Sequence, residues 1–170
     1  EPWTQKTGSG GYYKVYSPYW RSVQANFVCP PPCPTPERFA DFDLASETRA
    51  DWQLHPTRPD WSQGFDPQWS PGEAGAANRL LSFLDGPVDH YGDDRNRPDI
   101  ETGTSGLSPH LAFGEISPIQ IWRTTRARID AGDVHEKNAQ KFLSEVAWRD
   151  FSYVLLFHNP ELARANFRAD

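Results

Sequence analysis

The chain contains no methionine, and cysteine supplies only two of its 170 residues. Those two, Cys29 and Cys33, flank three consecutive prolines. Two thiols are too few for a disulfide framework or a four-ligand zinc site, and the extended proline spacer disfavours a bond between them. We therefore expect free thiols, no metal site and a cytoplasmic location.

Membrane segments, strands and a basic surface are lacking as well. No apolar run approaches the length of a membrane-spanning helix, so we expect no membrane contact. No signal peptide is visible, and no stretch alternates apolar and polar residues as a strand does. The net charge of -6 argues against a broad, nonspecific nucleic-acid surface. Arg123, Arg126 and Arg128 share one predicted helix, and solvated helix faces are their simpler interpretation.

Helical signals make up most of what is present, so the fold class that we predict is all-α, a helical cluster without a sheet. The predicted helices run from Ser17 to Asn26, from Ser70 to Gly86, from Ser108 onward, from Pro118 to Ala131 and from about His135 to His158. The starts of the first four carry a serine followed by proline, and Gly132 and Pro160 end the last two. Two apolar stripes at helical spacing should face the core: Ala77, Leu80, Leu81 and Leu84 in one helix, and Leu143, Ala147, Phe151, Val154 and Leu155 in another.

The chain divides at residue 69 into two regions of different character. Residues 1–69 are predicted to be a long irregular linker with one short helix and a proline-rich break, and residues 70–170 to be the helical part. Four aromatic residues of the linker are expected to anchor it to the helical part. They are Trp52, Trp61, Phe65 and Trp69.

A polar loop, Gly103-Thr104-Ser105-Gly106-Leu107, leads into the helix start at Ser108-Pro109. Flexible glycines, hydroxyl groups and the free N–H groups of a helix start suit an anionic phosphate. A capped turn between two helices explains the same residues, and on these residues alone it is favoured.

The second cluster, Phe142 to Phe151, lies in the last predicted helix. Phe142, Glu145, Trp148 and Arg149 share a face apart from the apolar stripe, which joins a carboxylate, a large aromatic and a guanidinium. One interpretation is a face that meets a ligand. The other is a Glu145–Arg149 surface pair beside a half-buried tryptophan, and the two remain open at this point.

The two clusters taken together resemble a known family. The order of three motifs closely resembles the flavin-binding domain of the DNA photolyase/cryptochrome family. The motifs are Thr104-Ser105-Gly106-Leu107-Ser108-Pro109-His110-Leu111, then Phe142 to Phe151, then Leu156-Phe157-His158-Asn159-Pro160. The resemblance is closest to class I cyclobutane pyrimidine dimer photolyases. Residues 8–20 resemble the family's segment between its antenna and flavin domains. The resemblance implies that the chain comprises the interdomain linker and the N-terminal part of the helical FAD-binding domain.

The resemblance also implies roles for particular residues. Glu145 matches the carboxylate that hydrogen-bonds the dimer bases, Trp148 the aromatic that packs on the flipped dimer, and Arg149 an arginine of the flavin pocket that also borders the DNA site. FAD would be bound by Tyr91, Thr104, Ser105, Gly106, Leu107, Ser108, Phe142 and Arg149. His110 and His158 are interpreted as structural.

The function implied is that of a carbon–carbon lyase in DNA repair, which uses light and reduced FAD to split pyrimidine dimers by electron transfer. Its partner would be dimer-containing DNA, without a protein partner, and a folate or deazaflavin antenna chromophore would belong to a preceding domain. A cryptochrome-type blue-light photoreceptor is the alternative, and a helical interaction module is a third hypothesis.

Overall fold

The computed structural model describes residues 4–34, 36–38, 44–55, 57–62, 64–65 and 68–167. The outer ends of the two predicted regions, residues 1–3 and 168–170, lie outside the described residues, as do several residues of the predicted linker. The boundary at residue 69 stays a prediction.

Every regular element in those ranges is helical, so the predicted all-α class is confirmed. The α-helices are α1 (Tyr16–Asn26), α2 (Glu73–Leu84), α3 (Tyr91–Asp94), α4 (Ser108–Ala112), α5 (Pro118–Ala131) and α6 (Glu136–His158). Short 3-10 turns cover Pro87–His90, Glu101–Gly103 and Pro160–Ala163. None of these helices is both long enough and apolar enough to cross a membrane.

Helix α6 is the centre of the packing, because α1, α3 and α5 all contact it. Its N-terminal half contributes Phe142 and Val146 to a core shared with α2, α3 and α5, and its C-terminal half packs Phe151 and Val154 against α1. Four members of the predicted α6 stripe are buried and the fifth, Leu155, is half-buried, so this prediction is confirmed.

The start and end of α5 follow from local chemistry. The Ser117 hydroxyl accepts from the Gln120 N–H at 3.1 Å, and the Gln120 side chain accepts from the Ser117 N–H at 2.7 Å, which completes a capping box. Gly132 ends the helix at a φ of 75°, a left-handed conformation that favours glycine. The predicted bounds of α5 are therefore confirmed.

Replacing Ser117 by alanine should lower the free energy of unfolding by about 1 kcal/mol, because a free N–H of the first turn loses its acceptor. Urea unfolding followed by circular dichroism measures this change. Ser117→Asn is the matched control, since asparagine caps about as well as serine. Equal stability of the alanine and asparagine variants would show that the capping box contributes nothing.

The prediction for α2 was wrong in its start and in part of its stripe. The helix begins at Glu73, because Gly72 has a φ of 97° and Ser70 makes no capping hydrogen bond. The Ser70 carbonyl instead packs so closely on Gly75 that a Cβ there would lie 1.7 Å from its oxygen. Two members of the predicted stripe, Leu80 and Leu84, are buried as expected, and the other two are not. Ala77 and Leu81 are exposed, and the buried residues are Ala76, Leu80, Phe83 and Leu84.

Two further expectations were also wrong. Ser108 is the first residue of α4 and makes no capping hydrogen bond; the nearest substitute is Ser105, whose hydroxyl accepts from the Leu107 N–H at 3.4 Å. Of the four linker aromatics only Trp69 packs on the helical part, through Arg79 and His110. Trp52, Trp61 and Phe65 are exposed and contact residues of the linker itself: Trp52 donates to Glu47, and Trp61 packs on Phe65.

Candidate cofactor and lesion site

The polar loop before α4 depends on a glycine and is backed by a cation. Gly106 has a φ of 62°, and a Cβ at this position would lie 2.9 Å from Nη1 of Arg79. The Arg79 guanidinium lies over the Trp69 ring, 4.9 Å from its centroid, and donates to the Gln68 carbonyl at 2.7 Å. The loop therefore lies directly against a positive charge of fixed position.

The loop and helix α6 form the two sides of one groove, which we name the loop–α6 groove. Its volume is about 350 Å³. It is lined by Tyr91, Thr104, Ser105, Gly106, Leu107, Ser108, Leu111, Ile121, Phe142, Glu145, Val146 and Arg149. The structure thus brings together every residue that the resemblance assigned to FAD, although the loop and the α6 residues are far apart in the sequence.

The floor of the groove is aromatic and closed to water. The rings of Tyr91 and Phe142 are both buried and meet edge to face, with 5.6 Å between their centroids. Phe83 of α2 contacts both rings from below. Burial raises the pKa of the Tyr91 phenol, so this residue stays neutral over the ordinary pH range. Both residues therefore present only a small part of their surface to a ligand.

Arg149 offers an unused donor to the groove. Within the described part of the chain, its buried Nε atom has no hydrogen-bond partner. A buried donor without an acceptor is costly, and an anionic oxygen would satisfy it with a charge-assisted bond. The pairing of Glu145 with Arg149, considered from the sequence, does not form. The residues present therefore fit an anionic ligand.

Glu145 is instead paired with two other cations. Its carboxylate contacts the Arg95 guanidinium and lies 3.1 Å from Nζ of Lys141. Burial raises the pKa of this carboxyl, but the hydrogen bonds from Arg95 and Lys141 more than offset burial, and the pKa lies below its ordinary value. Arg95 also lies over the Tyr91 ring at 5.5 Å, so it links the floor of the groove to the carboxylate.

Trp148 lies beside the loop–α6 groove and does not line it. Its side chain is 41% exposed. One face of the indole stacks on Tyr16 of α1, with 3.8 Å between ring centroids and 11° between the ring planes. Phe151 meets the indole at its edge, 5.5 Å away. The other face of the indole is the part that can meet a ligand.

His110 and His158, which the sequence analysis interpreted as structural, both contact other side chains of the fold. His110 is buried, and its Nδ1 lies 2.5 Å from the Glu115 carboxylate, whose pKa is lowered by that bond and by the Gly72 N–H. His158 stacks on Tyr12 at 4.2 Å.

The arginines of α5 are engaged as well. Arg126 pairs with Asp130, Arg128 pairs with Asp85, and Arg123 donates to the Pro30 carbonyl. These contacts agree with solvated helix faces.

Sequence reasoning missed four residues of the site. Arg95 contacts Glu145, which lies 50 positions later in the sequence. Tyr16 stacks on Trp148, which lies 132 positions later. Arg79 approaches the loop from α2. Only Lys141 had a local signal, since it precedes Glu145 by one helical turn.

Comparison with known proteins extends the resemblance to the whole chain. The deoxyribodipyrimidine photo-lyase of Agrobacterium fabrum is 39% identical over 98% of this chain and 35% of its own length. Cryptochrome-1 of Arabidopsis thaliana is 26% identical over 94% of the chain and 24% of its own length. A crystal structure of a bacterial class III photolyase from Agrobacterium tumefaciens superposes with a TM-score of 0.88, at 39% identity, over 99% of this chain and 35% of that one. No protein-family model matches the chain.

The described part of the chain belongs to the all-helical class of proteins, with a polar groove between a loop and its long helix. By its sequence and its structure, the chain belongs to the DNA photolyase/cryptochrome family, as the motifs predicted. It spans about 35% of the length of the first two relatives that it matches. The finer placement near class I photolyases stays a prediction.

Proposed function

We propose that the full-length protein is a light-dependent DNA repair lyase that splits cyclobutane pyrimidine dimers with reduced FAD. Relatives named deoxyribodipyrimidine photo-lyase, from bacteria, an archaeon and a fungus, support the proposal. The observation that carries it is the loop–α6 groove, in which a glycine-dependent polar loop faces an unpartnered arginine donor. The cytoplasmic location and an antenna chromophore of the folate or deazaflavin type, held in another domain, belong to the same proposal.

The chain's own residues would bind the FAD and exclude water from it. The hydroxyls and N–H groups of residues 104–108 would bind the phosphates, with Arg79 behind the loop and Arg149 opposite it. Tyr91 and Phe142 would keep water from below the bound group. The flavin, when bound, supplies the electron that light releases toward the lesion.

The lesion would be held by the exposed part of α6. The Glu145 carboxylate would accept hydrogen bonds from the N–H groups of the dimer bases, and Arg95 and Lys141 keep it ionised for that role. The free face of Trp148 would stack on a base that has left the duplex. No residue of the chain is required to act as a nucleophile or as a general acid.

The test is to purify the full-length protein, record its flavin spectrum and irradiate it with blue light in the presence of dimer-containing DNA. Repair of the dimers supports the proposal. Flavin without repair would favour a cryptochrome-type photoreceptor, to which the similarity with Cryptochrome-1 of Arabidopsis thaliana points. Absence of both would leave a helical interaction module.

Trp148→Ala in the full-length protein should weaken binding of dimer-containing DNA by about 1–3 kcal/mol, because a stacking platform is lost. Undamaged duplex should be affected much less, since its bases remain paired. Fluorescence anisotropy with both DNAs measures the two affinities. Trp61→Ala is the matched control, because Trp61 is also an exposed tryptophan but lies in the linker. Equal losses for both DNAs would make Trp148 a residue of the fold.

A further inference from the structure

One tyrosine of the N-terminal segment reaches the lesion face of α6. Tyr16 is the first residue of α1, and its ring stacks on the Trp148 indole at 3.8 Å and 11°. Its hydroxyl hydrogen-bonds both to the main-chain oxygen of Ser144 and, at 2.9 Å, to the Ser144 hydroxyl. The ring therefore spans the turn of α6 from Ser144 to Trp148.

The surroundings hold this ring in one orientation. Phe151 of α6 meets Tyr16 edge to face at 5.6 Å, and Tyr19, one turn further along α1, packs on the same Phe151 at 5.4 Å. Tyr19 and Val23 are themselves buried against α6. Hydrogen bonds at one end and packed rings at the other leave the Tyr16 ring with little rotational freedom.

The consequence falls on Trp148. An exposed tryptophan at a helix surface exchanges between rotamers unless something restricts it. Here one indole face is covered by Tyr16 and the edge is held by Phe151, so a single face stays open. Glu145 lies three positions earlier on the same side of α6. A planar base stacked on the open face would thus have its polar edge near the carboxylate.

We propose that Tyr16 is a positioning residue, which locks the Trp148 indole so that its free face is presented to a pyrimidine base of the lesion. The inference rests on the proposed function and deepens it, since it assigns part of the lesion site to the segment before residue 70. Tyr16 itself touches no base. It acts by reducing the conformational freedom that Trp148 would otherwise lose on binding.

The experiment uses the full-length protein and single-stranded DNA with or without one dimer, in the dark. Tyr16→Leu removes the stack and the hydroxyl, and it should weaken binding of the dimer strand about threefold to tenfold, the range expected for one aromatic pair. Binding of the undamaged strand and the amount of bound flavin should not change. Tyr16→Phe keeps the ring and should restore most of the loss.

Two further variants separate positioning from a general effect on the fold. Tyr12→Leu is the matched control, because Tyr12 belongs to the same segment and also stacks on an α6 ring, that of His158. It should leave dimer binding unchanged. In a Trp148→Ala background, Tyr16→Leu should cost nothing further, since its only target is gone.

The inference would be overturned by an additive loss in the double variant, by an equal loss in Tyr12→Leu, or by loss of flavin from Tyr16→Leu. Full dimer binding by Tyr16→Leu would also overturn it, and would leave the proposed function intact. A wild-type protein that binds both strands equally would instead refute the proposed function itself.

Discussion

Glu145→Ala in the full-length protein should lower repair of pyrimidine dimers at least about tenfold while the flavin stays bound. Losing one charged hydrogen-bond partner costs about 1.5–3 kcal/mol, and each 1.4 kcal/mol is a factor of about ten. The loss should be large because Asp150, the next carboxylate along α6, lies beside Tyr19 and Pro118 and does not line the loop–α6 groove. Repair under limiting light, with flavin absorbance on the same samples, measures both quantities.

Two variants serve as controls for that result. Glu136→Ala removes an exposed carboxylate from the first turn of the same helix and should not affect repair. Arg95→Met keeps Glu145 but removes one of its two cations. Repair by Glu145→Ala at the rate of the wild type would exclude the carboxylate from the mechanism.

The ion pairs also fix how Glu145 responds to pH. The pKa of the carboxyl is lowered in the folded protein, so the pairs contribute stability above the ordinary glutamate range. That contribution is lost as the pH falls through the lowered folded pKa. In Arg95→Met the folded pKa should lie closer to its ordinary value, so this contribution should be smaller and its loss should be complete at a higher pH than in the wild type.

The elements that could be predicted from the sequence are those whose ends are fixed by local chemistry. The capping box at Ser117 and Gln120 and the left-handed Gly132 act within a few residues, and the predicted bounds of α5 match the structure. Helix α6 was predicted within one residue at its start and correctly at its end, His158, because the unbroken helical pattern and Pro160 are also local signals. Its apolar stripe is long enough to fix the buried face.

The elements that could not be predicted depend on contacts across the fold. The start of α2 is set by Gly72 and by the close approach of Ser70 to Gly75. The apolar stripe of α2 is short, so its spacing did not determine which residues beside Leu80 and Leu84 are buried. The sequence presents Trp52, Trp61, Phe65 and Trp69 as equal candidates for anchors. Only Trp69 packs on the helical part, because Arg79 and His110 lie beneath it.

The candidate site divides in the same way. The sequence indicated the loop at residues 104–108 and the face of α6 as parts of a candidate site, because each is a short contiguous motif. Arg95 and Tyr16 complete the site through pairings over long sequence separations, which neither propensity nor helical spacing reveals. The sequence also allowed a Glu145–Arg149 pair, and the structure gives Glu145 to Arg95 and Lys141 instead.

Residues 1–170 alone should neither retain FAD through gel filtration nor repair DNA. The loop–α6 groove has a volume of about 350 Å³ and lies open on one side. Ligand pockets of about 300–1,000 Å³ bury most of the surface of a drug-sized ligand, and FAD is larger than most such ligands. Phosphate contacts from the loop and Arg149 would remain, but contacts to charges in water are weak. Bound flavin absorbance after gel filtration measures the outcome.

The same experiment should show self-association of this span. The predicted core stripe of α6 cannot drive this association, because Leu143, Phe151 and Val154 are buried within the helical body. Tyr153, Leu156 and Phe157 remain exposed on the last two turns of α6, and contiguous exposed apolar side chains promote association. Leu156→Lys with Phe157→Lys should therefore shift the elution toward the monomer, whereas Leu44→Lys, at an exposed linker leucine, should not. A stoichiometric yellow monomer of the unmodified span would contradict both expectations, because it would show that these residues suffice to bind flavin and cover their own apolar surface.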